Sequence, residues 1–226
     1  MLTNLLKPFL AELVNKSDMM NLNINRVVRD RIEEIPKTVV RKAFKFQYLT
    51  ATRISEVCGK YAVTGKDLEI KEFEGHSLAL FTIKTAKKKG EPRFIALPLE
   101  EEYEPWSLEL VKEFSSRDDR RVFPISVRSL QFHAEKAFET LDYTIEKYGN
   151  KKIGVIEKHE RPGLTHFLRH VRATNLVMDY GFDSTDIGIY CGWEIGLPAM
   201  AKRYITMEWR RYFPKLLKPI ETKVIM

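Results

Sequence analysis

The segment Leu164–Leu176 carries the residues whose types and spacing best suit chemistry. It reads LTHFLRHVRATNL, and on a helix His166, Arg169 and His170 would share one face because they lie three and four residues apart. Such a face is costly to bury unless it meets an anion. The planar fork of donors on arginine suits a phosphate oxygen, whereas its charge would repel a metal held by the histidines. The segment therefore predicts phosphate binding, and a solvated basic helix face is the alternative.

A second arginine lies where an apolar helix is expected to end. In FQYLTATRISEVCG, Arg53 precedes Glu56 by three residues, so the two side chains would be neighbours on a helix. The pair can be a structural ion pair, and it can equally hold the guanidinium in place for a ligand. The residues around Arg53 leave both interpretations open.

Taken together, these segments resemble the tyrosine recombinase (integrase) family. LTATRISEV is similar to the first catalytic box of that family, and HFLRH with the following RAT is similar to the second. CGW followed by AKRY is similar to the end of the second box and the nucleophilic tyrosine, and the strand ending in FTIKT stands where the family places a catalytic lysine. The resemblance spans residues 44–204, and the Gly–Trp pair suggests an archaeal or viral member.

The resemblance implies a phosphate site made of four residues. Arg53 and Arg169 would bind the non-bridging oxygens of a scissile phosphate, and His166 and Trp193 would contact the same group. Fixed cationic donors stabilise the negative charge that grows on the phosphoryl oxygens. Trp193 could instead be an ordinary core residue, and His170 could only brace the helix.

The resemblance also implies a nucleophile and a proton donor. Tyr204 would attack phosphorus and form a 3′-phosphotyrosyl bond, and Lys84 would protonate the leaving 5′ hydroxyl. A covalent intermediate conserves the phosphodiester bond energy, so strands can be rejoined without a metal or a cofactor, and none is expected. Tyr190 and Tyr212 are the competing tyrosines, although either could belong to the core.

The lysines near the predicted hairpin offer both competitors for Lys84 and contacts to DNA. The turn AKKKG is usually solvated, but beside a catalytic lysine it would follow a DNA backbone. We favour Lys84 as the catalytic lysine because it ends the strand in a Lys–Thr pair. The predicted contacts to the DNA backbone are Lys87, Lys88, Arg93 and Lys202.

Two departures from the family pattern bear on the geometry of the site. Ala51 and Thr52 precede Arg53, where the family usually has a glycine that serves a tight turn, so a slightly different backbone is expected. The spacing from Trp193 to Tyr204 is longer than usual, which puts the delivery of the tyrosine in question.

The rest of the chain supplies the elements that must position these residues. Three consecutive segments either alternate apolar and polar residues or are rich in β-branched and aromatic residues: LEIKEFEG, HSLALFTIKT and EPRFIALPL. Turn sequences at Gly75 and at AKKKG separate them, so they predict a three-stranded antiparallel sheet. The polar stretch 143–162 predicts a loop or a poorly ordered connection. The predicted fold is mostly α with a small three-stranded antiparallel β-sheet, which agrees with the catalytic-domain fold that the resemblance implies. Helical spacing recurs over residues 2–14, 24–35, 38–49, 53–62, 105–115 and 126–141, and again from 164 onward.

The length indicates a single catalytic domain over residues 1–226. Its core is expected at about 38–212, after N-terminal helices in 1–37 and before a C-terminal tail in 213–226. Too few residues precede Arg53 for the family's N-terminal DNA-clamping domain, so no complete core-binding domain is expected. The family's C-terminal segment often passes to the next subunit of a tetramer, so Pro214–Met226 should be extended or pack on a neighbour.

Composition narrows the class of partner. Lysine and arginine total 38 against 31 acidic residues, and this net charge of +7 favours a polyanionic partner, nucleic acid first, although a surface that is simply rich in Lys and Glu is the alternative. The resemblance implies that the partner is double-stranded DNA, on which the chain would self-associate as a tetramer. Two cysteines make neither a disulfide framework nor a CxxC pair, which indicates a reducing cytoplasm and excludes a thiolate zinc site. No apolar run approaches the roughly 18 residues of a membrane span.

These observations predict a site-specific DNA recombinase, and two alternatives remain open. A type IB topoisomerase-like enzyme would use a similar residue set, but the HFLRH arrangement argues against it. A non-catalytic DNA-binding or regulatory remnant of the fold would suit the short N-terminus. The presence of all six polar positions of the family argues against such decay.

Overall fold

The computed structural model describes residues 25–86, 90–138, 164–193 and 208–220, with side chains from 166 onward in the third range. It also describes the backbone of residues 144–146 and 153–155. The predicted helix over 2–14 and the residues Lys87, Lys88, Lys202 and Tyr204 lie outside the described residues. Within the described part, no helix is long and apolar enough to cross a membrane.

Three helical segments open the described chain. Helix α1 covers residues 25–33, α2 covers Thr38–Thr50 and α3 covers Ile54–Val57. Every residue of α2 from Ala43 to Thr50 is buried, so this helix runs through the centre of the core. Val28 and Ile32 of α1 are fully buried in the same core.

Helix α2 ends in a left-handed turn at Ala51. The backbone of Ala51 has φ 48° and ψ 37°, and its N–H donates to the carbonyls of Gln47 and Tyr48. This is the conformation that a glycine would adopt at a helix C-terminus. Ala51 therefore adopts the left-handed turn that a glycine would serve, with the strain of a Cβ in it.

The three predicted strands form one antiparallel sheet in the order β1-β2-β3. Strand β1 covers Leu68–Phe73, β2 covers His76–Lys84 and β3 covers Pro92–Pro98. The β1–β2 turn places both Glu74 and Gly75 at positive φ, as a two-residue hairpin requires. In the β2–β3 pair, Lys84 lies opposite Pro92, so β2 ends at the predicted catalytic lysine.

The remaining elements lie outside the sheet. Residues 144–146 and 153–155 pair as two short antiparallel strands, so the prediction of a loop over 143–162 is wrong at these positions. Strands of only three residues are too short for an alternating pattern to be recognised in the sequence. The elements after β3 are α4 (Ser107–Ser115), α5 (Val127–Phe138), β4 (Thr144–Glu146), β5 (Ile153–Val155), α6 (Leu164–Met178), α7 (Ser184–Cys191), a 3₁₀ turn (Trp209–Arg211) and α8 (Phe213–Leu216).

An aromatic cluster joins α2 to the sheet and α4. The ring of Phe46 lies 5.5 Å from Phe81 and 5.3 Å from Phe114 between ring centroids, and Phe123 closes the group. Such ring pairs add about 0.5–1.5 kcal/mol each beyond the area that they bury. The prediction of a mostly helical protein with a small three-stranded antiparallel sheet is confirmed.

The C-terminal segment packs on the domain that it belongs to. Phe213 and Leu216 are buried, and the ring of Phe213 contacts Phe73 of β1. Lys215 donates to the buried carboxylate of Asp186 at the start of α7. The N–H of Ile220 donates to a carbonyl after β3 at 3.1 Å. The prediction that the tail from Pro214 is extended or packs on a neighbour is therefore wrong for residues 214–220, because apolar side chains and ion pairs hold it in place.

Candidate functional site

The turn at Ala51 leads directly into Arg53, which begins α3. The N–H of Arg53 donates to the Glu56 carboxylate at 2.9 Å, and Arg53 Nη1 donates to the same carboxylate at 3.1 Å. This capping arrangement fixes the backbone of Arg53 and leaves its side chain 18% exposed. The predicted Arg53–Glu56 pair exists, and it holds a guanidinium that solvent can still reach.

Glu56 is the acidic centre of the site. Its carboxylate is fully buried, accepts the N–H of Ala86 at 3.0 Å, and lies 3.6 Å from Arg93 Nη2. Burial by itself would raise the pKa of Glu56, but the charge of Arg93 and the N–H groups of Arg53 and Ala86 lower the pKa below its usual value. Glu56 is therefore an anion at neutral pH, and both of its carboxylate oxygens have partners.

Arg169 reaches the same place from α6. Its side chain is buried, Nη1 donates to the carbonyl of Ala51, and Nη2 donates to the carbonyl of Cys191. Burial lowers the pKa of Arg169 to about 10, and the charges of Arg93 and Arg53 contribute to the decrease. Arg169 is still a cation at neutral pH, but one held in a strongly electropositive environment.

His166 and His170 line the exposed side of the same helix. Both imidazoles reach the surface, and partial desolvation followed by the charge of Arg169 lowers the pKa of each. Arg53 also lowers the pKa of His166, which places that ring near both arginines. The two rings are therefore neutral at neutral pH, and His166 can accept a proton.

Trp193 follows the end of α7 and contributes an exposed aromatic ring. It is 41% exposed, and the guanidinium carbon of Arg169 lies 5.6 Å from its ring centroid. The alternative in which Trp193 is an ordinary core residue is therefore wrong. Gly192 before it has φ 66°, and a Cβ there would lie 2.9 Å from Arg93 Cδ and 3.1 Å from Thr85 Cγ2. A side chain at this position would collide with the site.

Lys84 ends β2 with an exposed side chain beside this group of residues. The next residue, Thr85, packs near Gly192, and Ala86 donates its N–H to Glu56, so the hairpin is attached to the site by its backbone. The N–H of Thr85 also donates to the carbonyl of Glu91 at 3.0 Å, which closes the base of the turn. The turn lysines Lys87 and Lys88 lie outside the described residues.

Arg93 is buried, whereas the sequence analysis predicted that it contacts the DNA backbone. It is 6% exposed and binds the carbonyls of Thr50 and Tyr190, so its guanidinium has no free face for a DNA backbone. The strand alternation contains the signal that would have found this, because Arg93, Ile95 and Leu97 occupy successive inward positions of β3. The prediction that Arg93 contacts DNA is therefore wrong, and Arg93 is a buried partner of Glu56.

The site thus brings three guanidinium groups near one carboxylate, and two of them pair with it. Arg53 and Arg93 pair with Glu56, whereas Arg169 makes no ion pair with a carboxylate of the described residues. Positive charge that the protein itself does not neutralise favours an anionic ligand. Among the described residues, no cluster of histidine, cysteine and acidic side chains is placed to hold a metal ion.

The two competing tyrosines are both core residues. Tyr190 is fully buried with its hydroxyl donating to the carbonyl of Leu49, and burial raises its pKa to about 12. Tyr212 is fully buried, accepts the N–H of Ala96 at 3.1 Å and donates to the carbonyl of Phe94. Burial raises the pKa of Tyr212 well above its usual value. Neither hydroxyl is available as a nucleophile.

Comparisons with known proteins return no relative of this chain: no family model, no curated protein and no solved structure matches it.

Proposed function

We propose that the chain is a site-specific DNA recombinase with a tyrosine recombinase catalytic fold. It would cleave one DNA strand through a 3′-phosphotyrosyl intermediate and rejoin it to another strand. Double-stranded DNA would be its partner, with self-association as a tetramer on the DNA. The proposal joins the family resemblance of the sequence to the geometry of the described residues.

The observation that carries this proposal is the meeting of Arg53 and Arg169 beside Trp193. The two arginines come from boxes that are far apart in the chain, yet Arg169 binds the carbonyl of Ala51, two residues before Arg53. Both are held by protein acceptors, so their donors are fixed before any ligand arrives. A phosphodiester gains negative charge on its oxygens as it is attacked, and fixed donors stabilise that charge without reorganising.

Three other residues have roles that suit their surroundings. His166 is neutral at neutral pH and can take the proton of the attacking tyrosine. Lys84 is exposed at the end of β2 and can supply a proton to the leaving oxygen. Tyr204 is the nucleophile in this proposal, and the burial of Tyr190 and Tyr212 favours it by removing both competitors.

Trapping the covalent intermediate tests the proposal. A nicked suicide duplex releases a short strand after cleavage, so the protein–DNA adduct accumulates, and peptide mass spectrometry identifies the modified residue. The expected result is an adduct on Tyr204 that Tyr204→Phe abolishes with little change in DNA affinity. Tyr103→Phe, which removes a hydroxyl from a tyrosine beside His76, is the matched control and should leave the adduct unchanged.

Other results of this experiment would support the alternatives. Binding of duplex DNA with no adduct on any tyrosine would make the chain a non-catalytic remnant of the fold. Adduct formation with relaxation of supercoils, but without a Holliday junction from two duplexes, would indicate a type IB topoisomerase-like enzyme. An adduct on Tyr212 would show that the C-terminal segment leaves the core.

A further inference from the structure

Arg93 enters the interior from β3 and binds the backbone at the ends of two helices. Its Nη1 and Nη2 donate to the carbonyl of Thr50 at 3.3 and 3.2 Å, at the end of α2. Nη1 also donates to the carbonyl of Tyr190, near the end of α7. Because Arg93 is almost fully buried, water does not compete for these bonds.

Arg169 repeats the same arrangement one residue further along each helix. It donates to the carbonyls of Ala51 and Cys191, directly after the two carbonyls that Arg93 binds. The last carbonyls of a helix have no partner within it and carry partial negative charge. Two guanidinium groups therefore join the end of α2 to the end of α7 through consecutive carbonyls. We call this arrangement the arginine clasp, made of Arg93 and Arg169.

Among the described residues, the clasp connects the helix ends that lead to Arg53 and Trp193. The end of α2 leads through Ala51 to Arg53, and the end of α7 leads through Gly192 to Trp193. Arg93 also faces the carboxylate of Glu56. The same carboxylate pairs with Arg53 and accepts the N–H of Ala86, which lies just after β2. A displacement of Arg93 would therefore move several parts of the site at once.

We propose that Arg93 is a positioning residue, which holds the ends of α2 and α7 in register so that Arg53, Arg169 and Trp193 form one phosphate site. This inference rests on the proposed function for the chemistry that the site performs. Lysine cannot replace Arg93, because a single ammonium offers a point charge where the planar fork reaches several acceptors in fixed directions. The role is distinct from direct contact with the phosphate.

Arg29 provides a matched control for a purely structural arginine. It is also largely buried, pairs with Glu104 at 2.7 Å and lies 3.9 Å from the ring centroid of Trp106. None of these partners belongs to the candidate site. Arg29→Lys should therefore reduce stability without affecting the geometry around Arg53 and Arg169.

The first measurement compares single-turnover adduct formation and duplex affinity in Arg93→Lys and Arg29→Lys. Small displacements of reacting groups cost about a hundredfold in rate, so Arg93→Lys should lose at least about tenfold at saturating DNA. Its Kd should change by less than about threefold, because the charge is kept. Arg29→Lys should match the unaltered chain in both quantities. Equal rates in the two variants overturn the inference.

The second measurement is hydrogen exchange on the full chain, which needs neither DNA nor activity. Arg93→Lys should raise exchange at both clasped ends together, at residues 51–52 and at residues 192–193, whereas Arg29→Lys should not. If the unaltered chain forms no adduct, the proposed function fails and this measurement alone decides the inference. Unchanged exchange, or a rise at one end only, overturns it.

A second variant covers the case in which Arg93→Lys does not fold. Glu56→Gln keeps the shape of the side chain but removes the charge that faces Arg93. It should raise exchange at the same two ends with smaller amplitude. No rise at either end in this folded variant would count against a positioning role for Arg93.

Discussion

Gly181 and Gly192 both stand at positive φ after a helix, but their surroundings differ. Gly181 has φ 67° and a Cβ added there would meet none of the described residues within 4 Å. Gly192 has φ 66° and a Cβ there would lie 2.9 Å from Arg93 Cδ. Replacing each glycine with alanine therefore separates the cost of backbone strain from the cost of a collision.

The expected magnitudes follow from this difference. A left-handed φ costs an L-residue about 1–2 kcal/mol. Alanine also reduces the conformational entropy of the unfolded chain, which stabilises the folded state by about 0.4–1 kcal/mol. Gly181→Ala should therefore lower the free energy of unfolding by about 1 kcal/mol. Overpacking typically adds about 1–3 kcal/mol, so Gly192→Ala should destabilise by about 2–4 kcal/mol. Arg93 cannot move aside cheaply because three acceptors hold its guanidinium.

Urea unfolding followed by circular dichroism measures the two free energies. Gly192→Ala should unfold at a lower urea concentration than Gly181→Ala, with a similar slope of free energy against urea. Equal losses in the two variants would refute the reasoning, since they would mean that Arg93 yields without cost. A change of slope in one variant would show a different unfolded state and would require direct comparison by calorimetry.

Three further outcomes are expected. Arg169→Ala removes a fixed donor, so single-turnover cleavage of the suicide duplex should slow at least about a hundredfold, and a loss below tenfold contradicts the role. Tyr212→Phe leaves the buried N–H of Ala96 unpaired, so urea unfolding should show a loss of about 1–3 kcal/mol in stability. The adduct should still form in this variant, and its loss in the folded variant contradicts the assignment of Tyr212 to the core. Partial burial and the charge of Arg169 lower the pKa of His166, so the neutral ring persists at neutral pH and cleavage should decline only in more acidic buffer. His166→Gln should flatten that acid limb, and an unchanged pH–rate profile would exclude His166 as the base.

The sheet was predictable because its signals are local. Alternation along the three strands and the turn at Gly75 need no knowledge of distant residues, and all three strands occur where they were predicted. The short pair β4–β5 was missed because strands of three residues are too short to show a recognisable alternation. The tail was mispredicted because it was expected to pass to a neighbour as it often does in the family, whereas Phe213 and Leu216 pack into the core of their own domain.

The site was predictable only in part. The types and spacing of His166, Arg169 and His170 indicated an anion site, and the family resemblance added Arg53 to it. The structure brings Arg169 to the carbonyl of Ala51, two residues before Arg53. Arg93 was predicted to contact the DNA backbone together with the lysines near the hairpin, although its inward position in the alternation of β3 argued otherwise. The joining of consecutive carbonyls by Arg93 and Arg169 depends on tertiary contacts between distant segments, which no local pattern encodes.

Ala51 shows how this chain balances conformational stability against the rigidity of its site. A glycine at Ala51 would relieve strain of about 1–2 kcal/mol, a noticeable share of the 5–15 kcal/mol typical of a folded domain. The same glycine would give the turn more backbone freedom at the carbonyl that Arg169 binds. Residues that sacrifice stability in this way concentrate where function needs a fixed geometry. Selection for a more stable chain would therefore act against the stiffness of the segment that presents Arg53.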